Sequence, residues 1–189
     1  MDQHYTEGQT IVKVNFSETP LKGEYENCTF IQCDFANADF MNLRFINCEF
    51  HQCNLSLAKL TNTALREVFF KECKMLGLQF EKCNAMGFAV KFENCNLGQC
   101  SFYQLKMKNT SFISSSLQET DFTESDLTSS MFNGCDLSGA IFDKTILEKA
   151  DLRGAIHFSI DPTNNRLKKA KFSAHSLRGL LDGFDIVID

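Results

Sequence analysis

The sequence predicts an all-β solenoid, in which short extended segments coil around a shared core. Two observations predict it: a five-residue hydrophobic period over most of the chain, and a regular alternation of residue type on that period. Neither the helical period of 3.6 residues nor the strand period of 2.0 produces such a spacing. A short unit repeated many times indicates stacked units that bury one continuous core.

Each unit has a large apolar residue at its centre and a small or apolar residue two positions earlier. In the first part of the chain the centres are Phe30, Phe35, Phe40, Phe45, Phe50, Leu55, Leu60, Leu65, Phe70, Met75 and Phe80. In the second part they are Phe92, Leu97, Phe102, Met107, Phe112, Leu117, Phe122, Leu127, Phe132, Leu137, Phe142, Leu147 and Leu152. The other three positions are mostly polar. Two side chains of each unit therefore point inward and three point outward.

The alternation of Phe with Leu or Met predicts that four units close one square coil, with Phe on two opposite faces. A twenty-residue coil stacks Phe92, Phe112, Phe132, Leu152 and Phe172 in one column. Because that column reaches Phe172, the coils are predicted over 20–172, after an N-terminal cap over 1–19. Pro20 and Pro162 fall in the first and last coils, where a missing backbone donor does least harm.

The repeat frame slips by two residues over 86–91, between Ala85 and Phe92. One interpretation is a bulge that the coil absorbs, eased by the backbone freedom of Gly87. The other is a protrusion that contacts a partner, formed by Gly87, Phe88, Ala89 and Val90. Two extra residues make a short loop, so the bulge is the favoured interpretation.

The nine cysteines include pairs spaced like metal ligands, such as Cys28 and Cys33. All nine, however, lie two residues before a centre, which predicts small buried core residues. Parallel side-chain directions and a reducing cytosol argue against disulfides between stacked coils. The sequence therefore predicts no metal site.

Enzyme chemistry has little support, because the four histidines are scattered and lie in no catalytic motif. We expect no catalytic residues and no cofactor. The net charge of -5 disfavours direct nucleic-acid binding. The polar N-terminus and the lack of a long apolar stretch predict a cytoplasmic protein without membrane contact.

The last segment, 173–189, differs from the repeats. Ser173 is placed to cap a helix, Gly183 to end it, and FDIVID (184–189) alternates as a short strand. The apolar residues that remain predict a homodimer joined at this end. They are Leu177, Leu180, Leu181, Phe184, Ile186 and Ile188. RLKKAK (166–171) is interpreted as a solvated face rather than a nucleic-acid patch.

Several units, such as ADF (38–40), CDF (33–35), TDF (120–122), CDL (135–137) and ADL (150–152), follow the pattern A/C-D/N-L/F-x-x. This pattern resembles the pentapeptide-repeat family over roughly 20–172. The resemblance implies a right-handed quadrilateral β-helix with four units per coil.

The stretch NFSETPLKGEYENCTFIQCDF (15–35), the repeats and the C-terminal tail resemble the Qnr-type branch of that family. The resemblance implies a bacterial, dimeric rod that mimics duplex DNA, binds DNA gyrase or topoisomerase IV, and protects them from quinolones. An acidic rod fits a basic saddle built for DNA. The outward acidic candidates are Glu119, Asp121, Glu124, Asp126, Asp136 and Asp143. The alternative is a protein-interaction scaffold with another partner.

Overall fold

The computed structural model describes residues 4–184, 186 and 187 as a parallel β-solenoid. Its strands are β1 (Tyr5–Glu7), β2 (Thr10–Val12), β3 (Glu24–Glu26), β4 (Thr29–Ile31), β5 (Arg44–Ile46), β6 (Glu49–His51), β7 (Ala64–Arg66), β8 (Val68–Lys71), β9 (Val90–Glu93) and β10 (Ser111–Ile113). Two 3-10 helices, Phe80–Lys82 and Ala174–Leu180, complete the regular elements.

The strands form two parallel sheets on adjacent sides of the coil. One sheet has the order β1-β3-β5-β7, and the other β10-β9-β8-β6-β4-β2. Single β-bridges continue the pairing beyond β10, so that one column of partners runs from Thr10 to Lys171 in eight steps. At about 4.8 Å per step the rod is about 38 Å long. The predicted right-handed quadrilateral β-helix is confirmed.

Four faces surround the core, and we name them by their central residues. Face A carries Tyr25, Phe45, Leu65, Met107, Leu127, Leu147 and Leu167. Face B carries Phe30, Phe50, Phe70, Phe92, Phe112, Phe132, Leu152 and Phe172. Face C carries Phe35, Leu55, Met75, Leu97, Leu117 and Leu137, and face D carries Phe40, Leu60, Phe80, Phe102, Phe122 and Phe142.

Stacked phenylalanines fill the centre of the rod. Phe112 has no exposed surface, and its ring stacks between Phe92 at 5.2 Å and Phe132 at 5.1 Å. Rings of face D meet those of face B edge-on, as Phe102 does with Phe112 at 5.8 Å. Both arrangements are the ones that aromatic quadrupoles favour. The two Phe faces predicted from the alternation in the second part of the chain are therefore opposite each other.

The corners between faces depend on two residue types. A residue with positive φ turns the chain at almost every corner, and many of these are asparagines, such as Asn47 at 51° and Asn109 at 61°. Asparagine tolerates this conformation better than most residues. Where an Asp or Asn precedes the centre, its side chain accepts a hydrogen bond from the N–H two residues on, as Asp34 does from Ala36 at 3.0 Å. The D/N position of the repeat is thus a turn former.

The frame slip is a two-residue insertion on face A. Just before the insertion the pairing is offset by twenty residues, as from Phe50 to Phe70. Across it the offset is twenty-two residues, as from Val68 to Val90 and from Lys74 to Asn96. The sheet of face A ends at β7, and a bond of 3.0 Å from Ala89 N–H to the Leu65 carbonyl ties the insertion to it. On faces B, C and D, the columns of paired residues continue across the insertion without a break.

The coils extend into the segment predicted as an N-terminal cap. β1 and β2 lie within 1–19, and they pair in parallel with β3 and β4. Residues 1–3 lie outside the described part of the chain. The first coil thus supplies the outer edge of both sheets.

At the other end, the predicted helix is present as a 3-10 helix, and the Ser173 side chain makes no bond to its N–H groups. Ser173 Oγ instead accepts a hydrogen bond from Gly154 N–H at 3.1 Å. The prediction of a strand over 184–189 is wrong for Phe184, Ile186 and Val187, which are not in a strand. Ile186 N–H turns back to the Phe184 carbonyl at 2.8 Å, so it has no ladder partner. Asp185, Ile188 and Asp189 lie outside the described residues.

Candidate interaction surfaces

The six acidic candidates, which we call the acidic belt, lie on three faces of the rod. Glu119, Asp121, Glu124 and Asp126 follow one another along a single coil, over face D and the corners beside it. Asp126 itself begins face A, and Asp136 lies on face C one coil later. Asp143 follows Phe142 on face D. The structure therefore brings four of the six together and wraps the belt around the rod.

The aspartates of the belt also hold the corners. Asp121 accepts a hydrogen bond from Thr123 N–H at 2.8 Å, and Asp126 accepts one from Thr128 N–H at 3.1 Å. Asp136 does the same for Ser138 at 3.1 Å. The sequence predicts these side chains only as surface charge. Their turn-forming role could have been inferred from the Asp-x-Ser/Thr spacing.

The glutamates of the belt belong to ladders that run along the corners. Glu119 accepts a hydrogen bond from Gln99 Nε2 at 2.9 Å, and Glu124 accepts one from Gln104 Nε2 at 2.7 Å. Each donor lies one coil earlier, at the same corner. Because these bonds leave the glutamate charge intact, both corners present a negative group to solvent.

Two aspartates of the belt have lowered pKa values. Burial opposes ionisation of Asp126, but hydrogen bonds from Thr128 and the Lys108 ammonium at 3.3 Å outweigh it and lower its pKa. For Asp136, burial is likewise outweighed by hydrogen bonds from Ser138, Gln118 and His157, which hold its pKa well below the usual range. Both carboxylates are thus fully charged at neutral pH.

Of the four residues predicted to protrude at the insertion, Gly87 is the exposed one. Gly87 packs beside the Arg66 side chain, whose Nε donates to the Met86 carbonyl at 3.3 Å. Phe88 is half-buried and meets Phe80 edge-on at 6.3 Å, and Val90 is buried in β9. Met86, which the sequence did not single out, is 74% exposed.

Shallow grooves flank the insertion. One of about 320 Å³ lies between Phe88 and Met107, with Glu67 and Lys91 on its rim. A second, of about 440 Å³, shares Glu67 and Lys91 and is floored by Val68 and the outward Phe69. Both grooves lie beside the point where the chain departs from the regular coil.

The C-terminal end exposes most of the apolar residues predicted to form a dimer interface. Leu177, Leu181, Phe184 and Ile186 are exposed, whereas Leu180 is half-buried against the core. Val187 adds a further exposed side chain that the sequence did not single out. Ile188 lies outside the described residues. Beside the 3-10 helix is a groove of about 350 Å³, lined by His157, Phe158, His175 and Arg178.

All nine cysteines are buried free thiols, as predicted. Burial raises the pKa of Cys48 to about 11 and that of Cys100 to about 12. Such thiols stay protonated and unreactive at neutral pH. Over residues 4–184, 186 and 187, no group of three or more His, Cys, Asp or Glu side chains is arranged to hold a metal ion.

Within the same described part of the chain, no helix has the length and apolar character needed to cross a bilayer.

Comparison with known proteins places this geometry in a family. A family model described as a pentapeptide repeat region matches residues 24–89 and 85–180. No curated protein matches the chain in sequence.

Solved structures share the fold. A trypsin-treated variant of QnrB1, a plasmid-mediated fluoroquinolone resistance protein, superposes with a TM-score of 0.73 at 16% identity, over 98% of this chain and 92% of that one. A second such variant gives 0.65 at 19% identity, over 99% and 98%. HetL, a pentapeptide repeat protein of the cyanobacterium Nostoc involved in heterocyst differentiation regulation, gives 0.50 at 17% identity, over 89% and 85%. The chain belongs to the pentapeptide-repeat family.

Proposed function

We propose that this protein is a non-enzymatic DNA mimic that binds a type II topoisomerase, DNA gyrase or topoisomerase IV, in the bacterial cytoplasm and confers quinolone resistance. The observation that carries the proposal is the acidic belt on a rigid rod. The coarser conclusion, a pentapeptide-repeat scaffold with a Qnr-like architecture, holds independently of it.

The rod has the properties that a DNA-shaped ligand needs. Its backbone is paired from coil to coil, so the charges sit on a framework that does not have to order itself on binding. Four acidic residues of the belt follow one another around one coil, from the corner before face D to the start of face A. They are Glu119, Asp121, Glu124 and Asp126. A basic saddle that binds phosphates would attract this side of the rod.

Dimerisation through the C-terminal end is part of the proposal. Leu181, Phe184 and Ile186 expose apolar surface on the side of the last coil that no further coil covers. A two-fold contact between two such ends would bury this surface and double the length of the rod. The resemblance to Qnr-type proteins supports the same arrangement.

The test is gyrase supercoiling in the presence of a quinolone, with this protein titrated in. We expect the wild-type chain to restore supercoiling. A variant with Glu119→Gln, Asp121→Asn, Glu124→Gln and Asp126→Asn keeps the oxygen acceptors of the corners and removes four charges, and we expect it to lose protection.

The matched control changes the same residue types at the far end of the rod: Glu7→Gln, Glu18→Gln, Asp34→Asn and Asp39→Asn. It should protect like the wild type if the belt is the contact. Equal loss of protection in both variants would mean that protection depends on the overall charge of the rod and not on the belt. No rescue by the wild type, with no binding to gyrase or topoisomerase IV, would leave a scaffold with another partner.

The dimer is tested by light scattering on full-length variants. Leu181→Asp with Phe184→Asp should give a monomer, whereas Met41→Asp with Leu57→Asp, which also alters exposed apolar residues, should leave a dimer. A wild-type chain that is monomeric at micromolar concentration would contradict this part of the proposal.

A further inference from the structure

The last two coils carry a concentration of positive charge that the sequence distributes over separate segments. On faces A and B the side chains involved are Lys149, Arg153, Arg166, Lys168, Lys169 and Lys171, which we call the basic band. Glu148 and Asp151 are the acidic residues among them, so these two stretches (146–153 and 166–173) have a net charge of +4. Because the whole chain has a net charge of -5, the residues outside these two stretches together carry a net charge of -9.

The coil register brings the two stretches into contact. Lys149 N–H donates to the Lys168 carbonyl at 2.9 Å, and the bridges Ile146 to Arg166 and Asp151 to Lys171 fix the two levels in line. RLKKAK alone was interpreted as a solvated face. With Lys149 and Arg153 directly above it, the same run becomes one side of a two-level charged surface.

Part of the band has no internal counter-charge. Arg166 pairs with Glu148 at 2.6 Å and Arg153 with Asp151 at 2.6 Å, whereas Lys171 lies 3.9 Å from Asp151. Among the described residues, Lys149, Lys168 and Lys169 have no ion pair, and all three side chains are exposed. Three exposed ammonium groups therefore lie along one edge of the rod.

The corner position of two of these lysines makes them costly to the fold. Lys149 and Lys169 have φ values of 60° and 62°, at the corner that Asn27, Asn47 and Asn109 occupy in other coils. Lysine gains less from this conformation than asparagine does, and like charges on adjacent rungs repel each other. A bound polyanion would remove that repulsion.

We infer that the basic band binds the phosphate backbone of duplex DNA, independently of base sequence. Leu167 and Phe172 point into the rod and the band carries no exposed aromatic or aliphatic anchor, which a protein interface would need at its centre. Flexible lysine stems with point charges match backbone phosphates, where affinity is electrostatic and sequence-independent. The rod then mimics DNA along its belt and contacts DNA at its end.

The test uses the full-length protein and a fluorescently labelled duplex of about 20 base pairs in an anisotropy titration without topoisomerase, so its outcome is separate from that of the proposed function. We expect weak binding whose logarithm falls with log salt with a slope of about -2.7 for three phosphate contacts. Lys149→Gln with Lys168→Gln and Lys169→Gln should weaken binding about tenfold or more at ~50 mM salt and flatten the slope.

The matched control is Lys59→Gln with Lys74→Gln and Lys82→Gln, three exposed lysines on faces C and D that have no ion pair in the described residues. It should bind within about twofold of the wild type. Equal losses in both variants, no binding by the wild type at ~20 mM salt, or stronger binding to vesicles containing phosphatidylserine than to the duplex would each overturn the inference. Unchanged unfolding midpoints show that both variants remain folded.

Discussion

At many inward positions two residues before a centre, Cys, Ser and Thr side chains make the same hydrogen bond to the coil before. Cys73 Sγ–H donates to the Phe50 carbonyl at 3.3 Å, Ser130 Oγ–H to Met107 at 2.9 Å and Thr145 Oγ1–H to Phe122 at 2.9 Å. Each acceptor is the central residue one coil earlier. Burial of the nine cysteines follows from their spacing, but this bond between coils does not, because it needs the register.

The buried thiols predict a loss of stability in alkali. Burial raises the pKa of three of them above the ordinary 9.0, to about 11 for Cys48 and about 12 for Cys83 and Cys135. The unfolded chain therefore releases these protons at a lower pH than the folded one. The free energy of unfolding should be constant below pH 9 with respect to these groups and fall as the pH rises towards 12.

Urea denaturation at a series of pH values between 7.5 and 11 measures this decline. A variant with Cys48→Ser, Cys83→Ser and Cys135→Ser keeps a hydroxyl donor and removes three titrating groups, so its stability should fall less steeply over the same range. Identical slopes for the two proteins would show that the thiols do not titrate on unfolding.

A single stacked ring in the middle of the rod should dominate local stability. Phe112→Ala removes a side chain with no exposed surface from between two rings, and we expect a loss of about 3–5 kcal/mol in the free energy of unfolding. Tyr103→Ala, which removes an outward aromatic ring, should cost about 0.5 kcal/mol or less. Chemical denaturation of both variants decides the matter, and similar losses would contradict the description of the core.

At the scale of elements, a glycine allows the C-terminal 3-10 helix to pack closely against the last coil. A Cβ on Gly179 would lie 2.1 Å from the Phe158 carbonyl oxygen and 2.7 Å from its ring. The close approach allows Ile160 N–H to donate to the Gly179 carbonyl at 2.8 Å. The helix thus closes the last coil by backbone contact, which the apolar spacing of its leucines does not reveal.

Gly179→Ala should displace this helix from the coil. Because overpacking against a backbone atom cannot be relieved by a rotamer change, we expect a loss of about 1–3 kcal/mol and faster amide exchange over 174–180. Gly183→Ala is the control, because no atom lies within 4 Å of a Cβ built there. The assignment fails if exchange over 174–180 is the same in the two variants.

The elements that the sequence mispredicted lie where the repeat ends. The period fixes Phe112 and Phe172 without any structure, since each coil repeats the one before it. Over 173–189 no repeat constrains the chain, so the helix type depends on contacts such as that of Gly179 with Phe158. Phe184, Ile186 and Val187 have no strand partner among the described residues. Alternating apolar residues indicate a strand only where the edge of a sheet is available to pair with it.

At the scale of the whole molecule, each coil contacts only its neighbours, so stability should vary along the rod. We expect amide exchange to be slowest in the middle coils around Phe92 to Phe132, which are covered on both sides. Exchange should be fastest in β1 and β2, whose outer edges lack a neighbouring strand. Hydrogen exchange read by mass spectrometry measures this gradient. Uniform protection along the chain would indicate one fully cooperative unit.

The candidate surfaces were less predictable than the fold. Outward charge at Glu119 or Asp126 can be read from the frame, but their grouping on one coil and the distance of Asp136 from them follow from the faces. The adjacency of Lys149 and Lys168, nineteen positions apart, depends on the twenty-residue length of the coil. Periodicity predicts which side chains point outward, and the assembled coil decides which of them meet.

The insertion at Met86 and Gly87 shows that this rod tolerates extra chain on one face while the columns on the other three faces continue. The path leaves the coil and rejoins it at nearby points, which is the geometry that loop closure penalises least. A reporter peptide inserted between these residues would therefore lie on the outside of the solenoid. The rod would then display the added peptide while the packing of its core stays the same.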